Sequence, residues 1–368
     1  MLYNILKYIL FPLLLFISLK TVAQENAAPL KKVELSSLEI VNVKCDSAAV
    51  HTKNKDTKGA KKLYQSAIKD YKKAIKEKPE YYEAYYRMGI ALTLIKDYKE
   101  AIPNFDKAFK CDSTHFEILR EKGIANVGLG KNKEALADFS KAIDINYDDA
   151  FSFYQRGLVY DSEKNGEAAL EDYTRAIEIK PTYEDAYFKR GIIYFNVKKD
   201  YVLALNDFNK VLELNPENNE AYFWRGKTNF KGEDYKNSDK DLSRYIDMET
   251  ENVDAYVTRG ASRININNNS GAVEDFDEVI KREPKNIIAY MNRGIAKGGL
   301  KKYKDALLDL DMAIKLKFDY SPAYINRAAI KFASGDKKGA CKDLERADGL
   351  NNEKAYNLIQ QYCQEKNK

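Results

Sequence analysis

Apolar and small residues along most of this chain recur at helical spacing, in short runs separated by polar turns. Residues 150–183, AFSFYQRGLVYDSEKNGEAALEDYTRAIEIKPTY, show the pattern in full. Counted from Ala150, Phe153, Gly157, Tyr160, Ala169, Tyr173, Ala176 and Pro181 stand at positions 4, 8, 11, 20, 24, 27 and 32. They fall into two runs of helical period, Ala150–Glu163 and about Glu167–Ile179. Asn165-Gly166 between them predicts a stop and a turn, and Pro181 cannot continue the second run. The pattern predicts a helical hairpin, helix A then helix B, each with one apolar face.

The same spacing returns along the chain. Position 8 is small at Gly89, Gly123, Gly157, Gly191, Gly226, Gly260, Gly294 and Ala328, in steps of 34 residues with one step of 35 after Gly191. Position 20 reads Ala101, Ala135, Ala169, Ala204, Ser238, Ala272, Ala306 and Ala340. Position 24 is always large: Phe105, Phe139, Tyr173, Phe208, Leu242, Phe276, Leu310 and Leu344. A small residue on helix A facing a small one on helix B predicts close backbones, with the large side chain filling the space beside them. From Tyr82 to Asn352 this resembles the tetratricopeptide repeat, whose period and signature it shares. The resemblance implies an all-α, right-handed superhelical solenoid of antiparallel helix pairs, whose A helices line a concave groove that holds a ligand. Each hairpin buries its faces only against its neighbours, so one elongated array is expected in place of several globular domains.

The pattern divides the chain. Residues 1–23 have the layout of a cleaved secretory signal: Lys7, the apolar run Tyr8–Leu19, then Thr21-Val22-Ala23 before Gln24. The alternative, a retained anchor, requires about 20 apolar residues, and this run has 12. No Cys lies just after Ala23, which argues against a lipid-anchored start. Residues 24–47 read as an extended or disordered lead-in. Residues 48–81 read as a degenerate half-repeat, because Ala67, Tyr71, Ala74 and Pro79 keep the frame while His51 and Lys55 break it. Eight repeats occupy 82–352, and 353–368 hold a capping helix, Glu353–Gln364, whose Ala355, Leu358, Ile359 and Tyr362 cover the last apolar edge. Pro103 inside the first helix B predicts a distortion there. The extra residue of the fourth repeat is expected in the turn Asn196–Tyr201.

Charge narrows the partner. Charged residues make up 32% of the chain, and loss of residues 1–23 with Lys7 and Lys20 lowers the net charge from +5 to +3. Near balance argues against nucleic acid. The excess sits in residues 24–81, with 13 Lys against 8 acids, as a contact for an acidic surface or as a solvated helix face. No cofactor or metal is expected: the two His, His51 and His115, lie in different repeats without a companion at ligand spacing. Gly226-Lys227-Thr228 copies the tail of a phosphate loop, but Ala221 stands where its first Gly is needed and the stretch is helical. No nucleophile or paired-carboxylate constellation stands out, so no enzyme is expected.

Position 7 is basic where the family is usually apolar, and position 23 is acidic. These predict one ion pair per hairpin: Arg156–Asp172, Arg190–Asp207, Arg225–Asp241, Arg259–Asp275, Arg293–Asp309 and Arg327–Asp343, with Lys122–Asp138 in the same frame. The first repeat lacks both partners, at Met88 and Asn104, which places the pair within a hairpin. The resemblance puts helix A positions 2, 5, 9, 12 and 13 on the groove, hence Phe151, Tyr154, Phe188, Phe195, Phe223 and Phe230, with Trp224 adjacent. Such aromatics either contact a partner or pack on one another between adjacent A helices. Asn292 and Asn326 are fragments of the family's carboxylate grip, and the rest of that grip is not matched.

Cys341 lies some ten residues before the turn at Asn351-Asn352 and Cys363 some eleven after it. Equal rise along two antiparallel helices brings both thiols to one height, which predicts a disulfide, while Cys45 and Cys111 stay unpaired. The functional expectation is an exported, periplasmic or secreted, non-enzymatic scaffold that binds a protein or peptide in its groove, with no membrane span once the leader is removed. The alternative is a structural or assembly component of the cell envelope, held by its solenoid edge or its basic N-terminal part.

Overall fold

The structure, a computed structural model, describes residues 57–249 and 251–363. The leader, the lead-in, His51 and Lys55 of the half-repeat, and Cys45 lie outside the described residues. Every element among the described residues is helical. They form two units that divide between Pro181 and Thr182.

The first unit holds α1 (Thr57–Glu77), α2 (Tyr82–Leu94), α3 (Tyr98–Cys111), α4 (Phe116–Gly128), α5 (Asn132–Ile145), α6 (Ala150–Ser162) and α7 (Gly166–Ile179). The second holds α8 (Glu184–Ile193), α9 (Tyr201–Leu214), α10 (Asn219–Lys231), α11 (Tyr235–Met248), α12 (Val253–Asn265), α13 (Asn269–Arg282), α14 (Ile287–Gly299), α15 (Tyr303–Leu316), α16 (Ser321–Ser334), α17 (Lys337–Asp348) and α18 (Glu353–Tyr362). Within each unit every B helix packs on its own A helix and on the A helix that follows. Successive A helices also touch: α2 with α4 and α4 with α6, then α10 with α12, α12 with α14 and α14 with α16. This is an all-α solenoid of antiparallel helix pairs. The B helix expected for the half-repeat is α1, whose Ala60, Tyr64, Ala67, Ile68, Tyr71 and Ala74 lie on one buried face.

The glycines of position 8 are explained by the rings of position 24. A Cβ built on Gly157 would stand 2.8 Å from the Tyr173 ring, on Gly89 2.6 Å from Phe105, and on Gly226 2.7 Å from Leu242. The expected close approach to position 20 is seen at Gly294, where an added Cβ would stand 3.1 Å from the Ala306 carbonyl oxygen. The large side chain itself crosses helix A at the glycine, and the Ala of position 20 is buried alongside.

Each hairpin turn carries one left-handed residue: Lys96, Gly130, Lys164, Lys199, Glu233, Asn267, Lys301 and Gly335. Helix B then starts under an N-cap carboxylate or amide in most hairpins. Asp97, Asn165, Asp200, Asp234, Asn268 and Asp336 each accept the backbone N–H three residues on. The extra residue of the fourth repeat is absorbed earlier than expected, as a π-helical turn over Tyr194–Lys198 that ends at left-handed Lys199. The widened turn closes through Asp200 N–H to the Tyr194 carbonyl at 3.0 Å. Pro103 does not break α3, which runs unbroken through it. The proline forfeits one N–H, and the Asn104 amide beside it donates to the Glu100 carbonyl at 2.7 Å.

At the C-terminal end α18 stops at Tyr362. Ala355 is buried, Leu358 and Ile359 are partly buried against Ala328, Ala340 and Leu344, and Tyr362 is half-exposed with its ring 5.8 Å from Phe332. Cys341 and Cys363 form a disulfide with a Cα separation of 5.7 Å, and Cys111 is free.

Candidate functional site

Two sets of side chains share the A helices, and they do different work. The first is a line of forked ion pairs. Arg156 donates through Nε to Asp172 Oδ2 at 2.9 Å and through Nη2 to Oδ1 at 2.8 Å. The same fork joins Arg190 to Asp207, Arg225 to Asp241, Arg259 to Asp275, Arg293 to Asp309 and Arg327 to Asp343. Lys122 stands in for it at 3.3 Å from Asp138.

The Arg–Asp pairs lie within their hairpins as expected, and the arginines also reach beyond them. The third guanidinium nitrogen reaches the preceding helix B: Arg156 to Ser140 at 2.9 Å, Arg225 to Asn209 at 3.0 Å, Arg259 to Ser243 at 3.2 Å, and Arg293 to Asp277 and Arg327 to Asp311 at 2.6 Å. Residues at position 11 add a second donor to the same carboxylates, from Asn126, Asn229, Arg263, Lys297 and Lys331. Sequence reasoning missed these donors, although polar residues where the repeat pattern has Tyr160 were a legible signal. Burial pushes the Asp172, Asp207 and Asp275 carboxyls up, and the arginine forks pull against it. With two charge-assisted bonds each, the arginines are held protonated. The line is architectural: it clamps the hairpins from the second onward and, within each unit, ties neighbouring hairpins together.

The second set is the aromatic group that the repeat frame assigns to the groove. The predicted groove aromatics are drawn largely into packing. Tyr154, Phe195 and Phe223 are buried, whereas Phe151, Phe188, Trp224 and Phe230 are half-buried. Trp224 meets Phe195 at 5.4 Å, Phe223 at 5.6 Å and Phe208 at 6.5 Å, and Phe223 meets Tyr245 at 4.9 Å. Phe188 lies 6.0 Å from Phe208, Phe230 5.7 Å from Tyr235 and Tyr154 5.8 Å from Tyr173. Packing between neighbouring helices thus accounts for most of the set. Lys227 lies across the Phe195, Phe223 and Trp224 rings and bonds Asp254.

The first unit holds a group of residues that sequence reasoning passed over. Between α2 and α4 lies a cleft of about 220 Å3, lined by Tyr82, Glu83, Tyr86, Arg87, His115, Glu117 and Ile118. The His115 ring stacks on Tyr82 at 4.6 Å, with Nε2 3.3 Å from Asp112 and Nδ1 3.9 Å from Glu117. The Thr114 hydroxyl and N–H hold Asp112 below the usual carboxylate range. Glu83 accepts from the Tyr81 hydroxyl at 2.9 Å and from Arg87 Nε at 2.8 Å.

Behind the cleft, Arg120 bridges Glu121 and Asp149 at 3.3 and 3.4 Å and lies over Phe151 at 5.2 Å. Burial pushes the Glu121 carboxyl up against the pull of Arg120. Burial also works against the Arg120 charge, and Glu121 and Asp149 more than offset it. The Tyr86 phenol is pushed far above its ordinary value by burial, so it stays neutral. The signal in sequence was the run of charged and aromatic residues at positions 5 and 6 of the first two repeats, Tyr86-Arg87 and Arg120-Glu121. Among the described residues no group of three or more His, Cys, Asp or Glu is arranged to hold a metal, and no helix is long and apolar enough to cross a membrane.

Residues 59–115 and 185–218 match families described as tetratricopeptide repeat, and residues 162–197 match one described as TPR repeat. No curated protein matches the chain. Among solved structures it is similar to YrrB, described as a TPR protein with an unusual peptide-binding site, at 28% identity over 50% of this chain and 95% of that one, with a TM-score of 0.48. MamA is 31% identical over 45% of this chain and 95% of its own, with a TM-score of 0.40. A tetratricopeptide repeat protein from Parabacteroides merdae is 21% identical over 68% and 99%, with a TM-score of 0.45. With three family matches lying on a hairpin period that continues between and beyond them, the chain is a tetratricopeptide repeat protein.

Proposed function

We propose that this protein is an exported, non-enzymatic scaffold that binds a protein or peptide segment on the free face of its A helices. The observation that carries the reading is a contrast within the repeat. Positions 8 and 20 stay small and position 24 large in every hairpin, and position 23 is acidic in all but the first, where it is Asn104, because each sits in or beside the glycine–position 24 crossing or the ion-pair line. Position 5 instead runs Tyr86, Arg120, Tyr154, Phe188, Phe223, Val257, Met291 and Ile325. Position 9 changes from Ile90 to Lys227 to Ala261. A regular frame that presents irregular side chains on one face suits recognition of a partner with its own sequence. Export rests on the layout of residues 1–23 and places the protein in the periplasm or outside the cell.

The experiment is site-specific photocrosslinking in intact cells. A crosslinker in place of Arg87 or Lys189 on A helices should capture a discrete partner. The same group in place of Glu134 or Lys240 on B helices should not. Equal capture from both faces would reject the A-helix reading and favour attachment through the solenoid edge.

A further inference from the structure

The second unit contains a cation seated among aromatic rings. Lys227 Nζ lies 5.1 Å from the Phe223 ring, 5.2 Å from Trp224 and 5.9 Å from Phe195, and 2.6 Å from Asp254 Oδ2. Rings supply the negative faces, and one carboxylate supplies the counter-charge. The cleft between α2 and α4 has rings and a carboxylate of the same kind, and no cation stands at the Lys227 position. Tyr82 and Tyr86 supply rings, Glu117 supplies the carboxylate, and the residues at the Lys227 position are Ile90 and Ile124. Arg87 lines the cleft, but its Nε and Nη2 are both directed at Glu83, each at 2.8 Å. The Glu117 side chain makes no hydrogen bond among the described residues, and His115 Nδ1 lies 3.9 Å from it.

Charge around the cleft points the same way. Among the lining residues Glu83 and Glu117 face Arg87, a net of −1 with His115 uncharged, and Asp112 adds a negative charge beside His115. Burial of Arg120 between Glu121 and Asp149 spends its charge on those two groups, so the field that reaches the cleft mouth is that of Glu117 and Asp112.

Resting on the scaffold reading above, we infer that this cleft binds the ammonium or guanidinium group of a basic side chain on the partner segment. The cation sits over Tyr82 and Tyr86 and pairs with Glu117. An acidic side chain is repelled there, and a neutral one forgoes both the ring faces and the carboxylate.

The test uses the full chain and two blocked pentapeptides, one with a central lysine among alanines and one with norleucine in its place. Titration followed by NMR or calorimetry should show millimolar binding of the lysine peptide, weakened by added salt, and none of the norleucine peptide. Glu117→Gln should weaken the lysine peptide about fivefold and Tyr86→Leu about threefold. Glu134→Gln, on the exposed face of α5, should leave it unchanged. Circular dichroism confirms that each variant is folded. Equal binding of the two peptides, no effect of Glu117→Gln, or no binding of either peptide overturns the cation site. Those results leave the scaffold reading standing where the A-helix crosslinks persist; loss of the crosslinks alone overturns the scaffold reading.

Discussion

At the scale of single residues, the tightest constraint is the crossing of helix A by a ring of helix B. Gly157 has no room for one more carbon, since the added Cβ would meet Tyr173 at 2.8 Å and the Asp172 Cβ at 3.3 Å. Gly157→Ala gains about 1 kcal/mol of helix propensity and loses more to overpacking, about 1–3 kcal/mol. The urea midpoint of the variant should fall. The ion-pair line gives a second prediction. Asp275 is 1% exposed and accepts from both Arg259 and Arg263. Asp275→Ala leaves the Arg259 guanidinium without its carboxylate, while Arg263 keeps Asp239 at 2.8 Å, and should cost about 3–5 kcal/mol. Removing Glu178, which holds Arg175 at 3.1 Å on the exposed surface, should cost at most about 1 kcal/mol. Equal losses for the two substitutions in chemical denaturation would contradict the structural role assigned to the line. The arginines and aspartates were legible in sequence because they share a period. Their reach to the preceding helix B was not, because Ser140, Asn209 and Asp277 differ in chemistry and share only a place in space.

At the scale of elements, turns and caps set how firmly each hairpin closes. The left-handed turn residue is glycine at Gly130 and Gly335 but carries a side chain at Glu233, with φ 62°. Such a residue is strained by about 1–2 kcal/mol relative to glycine. Glu233→Gly should therefore raise the thermal midpoint, while Gly335→Ala should lower it. The C-terminal cap depends on a covalent tie. Helix α18 has ten residues and only Ala355 fully buried. The Cys341–Cys363 bridge, with a separation of 22 residues, contributes about 3 kcal/mol on the chain-entropy account. Reduction, or Cys363→Ser, should speed amide exchange over 353–362 and leave 253–316 unchanged. The equal heights of the two cysteines about the Asn351-Asn352 turn made the bridge readable in advance. The π-turn at Tyr194–Lys198 was readable only as an insertion. Sequence spacing counts residues but does not say whether an extra one widens a helix or lengthens a loop.

At the scale of the molecule, each hairpin is stabilised by its neighbours, so the ends differ from the interior. The helix α18 shows what an end requires. It keeps the buried Ala355 of the A-helix pattern, but Ile359 replaces the recurring arginine and Gln360 the glycine, since no described B helix crosses it. Export is the remaining prediction at this scale: intact mass of the native protein should place its first residue at or near Gln24, and a mass that includes Met1 would refute it. The sequence by itself determined the hairpin period, the boundaries of the repeats from Tyr82 to Asn352, the ion-pair partners and the cap disulfide. All of these follow from local helical geometry repeated at constant spacing, so a count of residues is enough to find them. Only the tertiary structure decided that the Phe195, Phe223 and Trp224 rings are largely consumed in packing, and that Tyr82, Tyr86, His115 and Glu117 share one cleft. Those outcomes depend on how side chains of different lengths meet across adjacent A helices, and that distance is set by the packed helices on either side, not by the spacing along the chain.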